Sequence, residues 1–133
     1  MRTVHVLLLD TKESVKHILE HRLLNVHSMK FIVTLVGMRE AKQTLRCFKE
    51  NFDVVLFGEK TSPTTVIDLS NIIRARDVNI PIFKLTMESE AKLPHKFEQA
   101  GVDDMLNIAE MTTPLFGWTF RSMLEHEIGR AHV

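Results

Sequence analysis

The chain has 133 residues, 44% hydrophobic and 26% charged, a balance that indicates one folded domain with its own core rather than a disordered segment. Lysine plus arginine equals aspartate plus glutamate at 17 each, so no global basic field attracts nucleic acid or an anionic membrane. The apolar runs are far shorter than the roughly 20 residues that span a bilayer. No signal peptide is evident, and the single cysteine, Cys47, suits a reducing compartment. We therefore expect a cytoplasmic domain without membrane or direct nucleic-acid contacts.

Five apolar runs of strand length alternate with five stretches of helical period along the chain. The predicted strands are residues 4–9, 31–36, 53–57, 80–85 and 104–108. These runs are continuously apolar, as expected when helices cover both faces of a parallel sheet. The residues that share the inner face of each predicted helix are Val15, Ile18, Leu19 and Arg22; Ala41, Leu45 and Phe48; Val66, Leu69 and Ile73; Leu93, Phe97 and Ala100; and, from near Pro114, Phe116, Phe120, Leu124 and Ile128. The pattern predicts an α/β fold with a doubly wound, flavodoxin-like five-stranded parallel sheet in the order 2-1-3-4-5.

Two aromatic residues near the start of the last helix cannot both face the core. Phe116 and Trp118 are two positions apart, which places them about 200° apart around a helix. We expect one of the two rings to lie on the surface, where it could form a contact.

Five segments, in order and with unbroken spacing between the third and fourth strands, resemble the receiver domain of bacterial response regulators (CheY-like). They are Val6-Leu7-Leu8-Leu9-Asp10, residues 52–57, residues 68–75, Ile80-Pro81-Ile82-Phe83-Lys84-Leu85-Thr86, and residues 100–106. The resemblance covers roughly residues 4–125. It implies a role in two-component signal transduction, in which receiver domains take part in phosphorelay by aspartyl phosphorylation.

The phosphorylation site that the resemblance implies is degenerate in this chain. The family places two acids after the first strand, and here these positions are Asp10 and Thr11. The phosphorylated aspartate corresponds to Gly58, the switch threonine to Thr86, and the lysine that contacts the phosphoryl group to Ile108. Of this set, only the aspartate and the switch threonine are retained.

Each replacement removes a different physical requirement of phosphotransfer. Glycine has no side chain, so no acyl phosphate can form at residue 58. Thr11 removes an anionic Mg²⁺ ligand, and Ile108 supplies no cation to balance phosphoryl charge. The sequence therefore predicts a pseudo-receiver with no metal and no cofactor.

Four other residues near the predicted site carry hypotheses of their own. Met105 occupies the position of the family's switch aromatic and is predicted to fill a gap in the core. Lys60 lies two residues past the lost aspartate, so one hypothesis is that its ammonium contacts Asp10 in place of a metal, the alternative being a solvated loop lysine. Glu59 and Glu88 are carboxylates that could restore a metal ligand.

The functional expectation is a non-enzymatic signalling module that acts through protein–protein contacts. The family's surface of fourth helix, fifth strand and fifth helix commonly mediates dimerisation and output. Its candidate contacts here are Leu93, Phe97, Met105, Trp118, Arg121 and Glu125. The expected partners are an output domain, another signalling protein or a second copy of the chain.

Two alternatives remain open at this stage. The first is a phosphorylation-competent receiver with an unconventional acceptor or metal ligand set. The second is a flavodoxin-like enzyme or nucleotide binder, which the glycine-free, acidic segment Asp10-Thr11-Lys12-Glu13-Ser14 argues against. Residues 1–125 are expected to form the receiver-like domain, and residues 126–133 to continue the last helix towards an output domain.

Overall fold

The computed structural model describes residues 2–24, 26, 28–47, 52–77, 79–89, 91–112 and 116–131, and it describes the side chains of these residues except Cys47, Thr112 and residues 126–131. The strands are β1 (Arg2–Leu9), β2 (Met29–Val36), β3 (Val54–Phe57), β4 (Ile82–Thr86) and β5 (Asp104–Asn107). The helices are α1 (Glu13–Leu23), α2 (Met38–Cys47), α3 (Pro63–Arg76), α4 (His95–Ala100) and α5 (Phe116–Ala131), with a 3₁₀ helix over Ile108–Thr112.

All five strands pair in parallel, in the order β2-β1-β3-β4-β5. The predicted fold class and strand order are confirmed. None of the helices in the described part of the chain is long and apolar enough to cross a membrane.

The sheet separates two apolar cores because neighbouring residues of a strand point to opposite faces. On one face, Leu8, Leu56 and Phe83 pack with side chains of α1 and α5. On the other, Leu9 and Phe57 pack with side chains of α2, α3 and α4. Both faces of the three central strands are therefore covered, which explains their predominantly apolar sequences.

The buried residues of α1 differ in part from the predicted face of this helix. Val15, Leu19 and Leu23 are buried, whereas Ile18 is 38% exposed. Residues spaced by four stay nearly on one line along a helix, and Ile18 lies about 100° around the axis from Leu19. The expectation that Ile18 faces the core is therefore wrong.

The prediction that one of the two aromatic rings near the start of α5 lies on the surface is confirmed. Phe116 is 1% exposed, whereas Trp118 is 71% exposed. Phe116 stacks on Phe120 with ring centroids 5.9 Å apart, and Phe120 also meets Phe83 edge-on at 6.3 Å. The predicted helix start near Pro114 lies outside the described residues, and the helix is described from Phe116.

Arg74 of α3 joins two loop segments at the amino-terminal end of the sheet. Its Nη1 donates to the carbonyl of Ile80 at 2.6 Å, and its Nη2 donates to the carbonyl of Gly101 at 2.6 Å. Nη2 also pairs with Asp103 Oδ2 at 3.1 Å, and that same oxygen accepts from the backbone nitrogen of Ile82 at 2.8 Å. This network fixes the starts of β4 and β5 relative to α3.

Candidate functional site at the strand ends

The residues predicted to form a site follow the carboxyl ends of β1, β3 and β4. The strand order reverses between β1 and β3, and in open α/β sheets such a switch point opens a crevice outside the strand ends. Asp10 follows β1, Gly58 follows β3, and Thr86 ends β4. A backbone bond from Gly58 N to the Leu9 carbonyl, 2.7 Å long, ties the first two loops together.

Gly58 lies so close to the backbone of Asp10 that no side chain fits between them. A Cβ built on Gly58 would lie 2.0 Å from the carbonyl oxygen of Asp10 and 3.0 Å from Cβ of Thr11. Asp10 itself has φ of 56°, in the left-handed region that L residues seldom adopt. The β1–α1 loop therefore fills the space that a side chain at position 58 would need.

The neighbouring Glu59 is bound by the same loop. Thr11 Oγ1 donates to Glu59 Oε2 at 3.1 Å. The two residues that flank the close approach, Thr11 on one loop and Glu59 on the other, are thus joined by a side-chain hydrogen bond. This bond gives Glu59 a structural role that its sequence position did not reveal.

A lysine that the sequence analysis overlooked is buried beside these residues. Lys84 of β4 is 6% exposed, and its Nζ donates to the carbonyls of Glu59 at 3.0 Å and of Leu85 at 2.9 Å. Burial lowers the pKa of the Lys84 ammonium from its usual 10.5, and the negative charges of Glu59 and Asp10 partly oppose that shift. A positive charge therefore lies within electrostatic range of both carboxylates.

The sequence did contain an indication of this arrangement. Lys84 is the one charged residue in β4, whose other residues are apolar except for Thr86. Because side chains alternate along a strand, Lys84 points to the same face as Thr86 and Ile82. A charged residue at a buried position, two residues before a predicted site residue, could have been identified as part of that site.

The other predicted pocket residues are placed as follows. Lys60 is exposed, and within the described part of the chain no ion pair joins it to Asp10, so the buried cation near Asp10 is Lys84. Thr86 Oγ1 accepts a local hydrogen bond from the backbone nitrogen of Glu88 at 3.1 Å. Ile108 begins the 3₁₀ helix and packs against the core beneath α1 and α5.

Glu88 follows β4 and is exposed. In that part of the chain, no group of three or more histidine, cysteine, aspartate or glutamate side chains could hold a metal ion. Restoration of a ligand set by Glu59 or Glu88 stays a prediction without support from this geometry.

The predicted contact surface is only partly on the outside of the molecule. Trp118 and Glu125 of α5 are exposed, and Arg121 Nε donates to Glu125 Oε1 at 3.1 Å. Leu93 and Met105 are half-buried and pack against the core under α3 and α4. Phe97, at 4% exposure, belongs to that core, so its side chain is not available as a contact.

No family model and no curated protein matches the sequence. The fold, however, closely matches solved receiver structures. The chemotaxis response regulator CheY4 of Vibrio cholerae matches with a TM-score of 0.67 and 20% identity, over 94% of this chain and 98% of that one. A two-component response regulator from Clostridium difficile matches with a TM-score of 0.67 and 18% identity, over 98% and 99% of the two chains.

Two further solved structures are similar to this chain; the name of one describes a regulatory mechanism, and the name of the other describes a complex with a kinase. One is an atypical orphan response regulator whose structure is described as revealing a phosphorylation-independent regulatory mechanism (TM-score 0.64, 15% identity, 94% of this chain and 95% of that chain). The other comes from a complex of the histidine kinase ThkA with the response regulator TrrA (TM-score 0.63, 13% identity, 94% and 98%). At these identities the likeness establishes the fold. The structural neighbours of this chain are CheY-like receiver domains.

Proposed function

We propose that this protein is a receiver-type signalling module whose state is not set by aspartyl phosphorylation and which acts through protein–protein contacts. The observation that carries the proposal is the position of Gly58, where a Cβ would lie 2.0 Å from the carbonyl oxygen of Asp10. The residue in the nucleophile position thus lacks a carboxylate, and its surroundings leave no room for one.

The carboxylates near Gly58 are poor substitutes for the missing acceptor. An acyl phosphate forms when a free carboxylate attacks phosphorus in line with its leaving group. Glu59 already accepts a hydrogen bond from Thr11, and Asp10 lies on a turn whose backbone packs against Gly58. Both carboxylates also share the field of the Lys84 ammonium, which favours their role as internal counterions.

The outer surface of α5 supports an output through protein contacts. Trp118 exposes 71% of its surface beside the exposed Arg121–Glu125 pair. Tryptophan and arginine are enriched in protein interfaces, where a large ring supplies apolar area and a polar neighbour supplies direction. The orphan regulator described as phosphorylation-independent and the regulator solved with a histidine kinase are precedents for the fold, both at low identity.

The partner classes that fit this proposal are a signalling protein such as a kinase, an output domain, and a second copy of the chain. Helix α5 runs to Ala131, and we propose that residues 126–133 lead to an output domain in the natural protein. The alternative of an unconventional phosphoacceptor becomes an outcome of the test below.

The decisive experiment incubates the purified chain with a small phosphodonor and Mg²⁺ and measures the intact mass. We expect no gain of about 80 Da, the mass added by one phosphoryl group. A matched incubation with the Asp10→Asn variant removes the remaining acid of the pair. Any adduct on the wild-type chain would refute the proposal. Its loss in this variant would show that phosphorylation requires Asp10, and peptide mass mapping of the adduct would identify the acceptor residue.

The contact half of the proposal has a separate test. Light scattering after gel filtration measures the mass of the wild-type chain and of Trp118→Ser in solution. If the surface pairs two copies, the variant shifts towards the monomer at equal concentration. If the wild-type chain is already monomeric, Trp118 is free for a different partner, and a titration with a cognate kinase or output domain should show weaker binding by the variant.

A further inference from the structure

Lys84 is a charged residue placed in the interior of the sheet. Its position in β4 makes it part of a strand whose preceding residues, Ile82 and Phe83, are fully buried. Burying an ammonium is costly unless hydrogen bonds and opposite charge compensate it. The arrangement around Lys84 therefore has to supply that compensation.

The compensation comes from β4 itself and from the loops that follow β3 and β1. The ammonium donates to the carbonyl of Glu59 at 3.0 Å in the loop between β3 and α3, and to the carbonyl of Leu85 at 2.9 Å. The carboxylates of Glu59 and Asp10 add attraction without forming a direct ion pair with Lys84 in the described part of the chain. Lys84 thus links β4, the β3–α3 loop and the β1–α1 loop.

These residues do not fit the Mg²⁺ ion that receiver domains of the resembled family bind. Mg²⁺ prefers an octahedral set of hard oxygens with carboxylate charge. Here Glu59 Oε2 is already bonded to Thr11, and the ammonium of Lys84 attracts the carboxylates of Glu59 and Asp10. A divalent ion placed between these carboxylates would meet a positive charge in a region of reduced solvent screening.

We propose that Lys84 is the internal cation of this crevice: its ammonium balances the charge of Asp10 and Glu59, holds the β3–α3 loop against β4, and excludes divalent metal ions. The inference rests on the proposed function, in which the crevice performs no metal-dependent phosphotransfer. Its consequence is specific, because removal of the ammonium leaves the carboxylates of Asp10 and Glu59 without their internal countercharge and removes the donor to the Glu59 carbonyl. The chain should then acquire a weak site for a divalent cation.

The test compares Mn²⁺ binding by the wild-type chain and by Lys84→Met, which keeps an unbranched side chain, one atom shorter, and removes its charge. Paramagnetic broadening of backbone amide signals by Mn²⁺ shows where the ion binds. We expect Lys84→Met to show saturable broadening around Asp10 and Glu59, with a dissociation constant on the order of 1 mM, as for weak oxygen sites. The wild-type chain should bind at least roughly tenfold more weakly at those residues.

Lys60→Met is the matched control, because Lys60 is an exposed lysine in the same loop as Glu59. This variant also removes one positive charge, so it reports the effect of net charge alone. We expect it to bind Mn²⁺ like the wild type. The double variant Lys84→Met with Asp10→Asn should lose the acquired site.

Several outcomes would overturn the inference. Mn²⁺ binding by the wild-type chain at Asp10 and Glu59 would contradict exclusion, and this measurement needs no variant. A folded Lys84→Met variant without a cation site would contradict it as well, as would equal gains in Lys60→Met. If Lys84→Met does not fold, reductive methylation of the native chain tests the buried amine: Lys84 must be protected while Lys60 reacts, and equal labelling refutes the buried position.

The outcome is distinguishable from failure of the proposed function. A phosphoryl adduct on the wild-type chain tests phosphotransfer, whereas Mn²⁺ broadening tests the cation. A chain that takes no phosphoryl group but binds Mn²⁺ would keep the proposed function and reject the role of Lys84. A chain that takes the phosphoryl group but does not bind Mn²⁺ would reject the proposed function and keep the role of Lys84.

Discussion

Replacement of Gly58 by alanine tests the close approach on which the proposed function depends. The alanine Cβ would lie 2.0 Å from the carbonyl oxygen and 2.8 Å from the carbonyl carbon of Asp10. Contacts shorter than 3.0 Å essentially do not occur, so the two backbones must separate by about 1 Å. The bond from Gly58 N to the Leu9 carbonyl, 2.7 Å long, resists that separation.

The expected magnitude follows from two opposing terms. Overpacking at a rigid site costs about 1–3 kcal/mol, and the obstacle here is backbone, which cannot rotate away. Gly58 does not have a positive φ, so alanine also gains up to about 1 kcal/mol by restricting the unfolded chain. We expect a net loss of about 2 kcal/mol in the free energy of unfolding, or roughly 8 °C in Tm for a domain of this size.

Urea denaturation followed by circular dichroism measures this loss, with Gly37→Ala as the matched control. A Cβ at Gly37 would lie 3.1 Å from Glu40 Oε2, the end of a movable and exposed side chain. The control should therefore change stability by less than about 1 kcal/mol. If Gly58→Ala and Gly37→Ala differ by less than that amount, the crevice has room for a side chain and the steric argument fails. A further Gly58→Asp variant, expected to be at least as unstable, should remain without a phosphoryl adduct.

Three other predictions follow from the same structure. Arg74→Ala should lower the free energy of unfolding by about 3 kcal/mol in urea melts, since it removes the donor to two part-buried carbonyls and the partner of Asp103, whereas Arg121→Ala, on an exposed helix pair, should cost about 0.5 kcal/mol. The pKa of Lys84 is lowered on folding, so the unfolded chain binds more protons just below pH 10.5, and the stability of the wild type relative to Lys84→Met should rise with pH in that window. A flat or falling difference between these two urea-melt series would contradict the burial of the ammonium. Trp118→Ala should leave Tm within about 2 °C of the wild type, while Phe120→Ala should cost about 3–5 kcal/mol, and similar losses in calorimetry would show that the tryptophan is not exposed.

Much of the fold could be predicted because strands and helices leave patterns among residues that are neighbours in the sequence. The run ending at Phe57 is apolar, and the one ending at Leu85 is apolar except for Lys84. Both runs are buried on both faces, which is typical of central parallel strands. The divergence of Phe116 and Trp118 follows from helix geometry alone. The burial of Leu23 instead of Ile18 was not predicted, because which side of a helix faces the sheet depends on how the helix docks.

The candidate site could be located from the sequence but not understood from it. Spacing placed Gly58, Asp10 and Thr86 at the strand ends, since carboxyl ends of parallel strands lie together. It did not reveal that Thr11 binds Glu59, a pair separated by 48 positions. The hypothesis of a Lys60–Asp10 contact relied on the nearness of Lys60 to position 58 in the sequence. The buried cation is instead Lys84, which lies on β4.

The sequence by itself therefore determined the alternation of strands and helices, the parallel sheet and the absence of a carboxylate at position 58. These properties depend on residue type and on the periods of strand and helix. Only the tertiary structure decided that the β1–α1 loop closes onto Gly58 and that Lys84 supplies a buried charge beside Asp10. The physical reason is that short-range repulsion and Coulomb attraction act between atoms close in space, and folding brings together residues that the chain holds far apart.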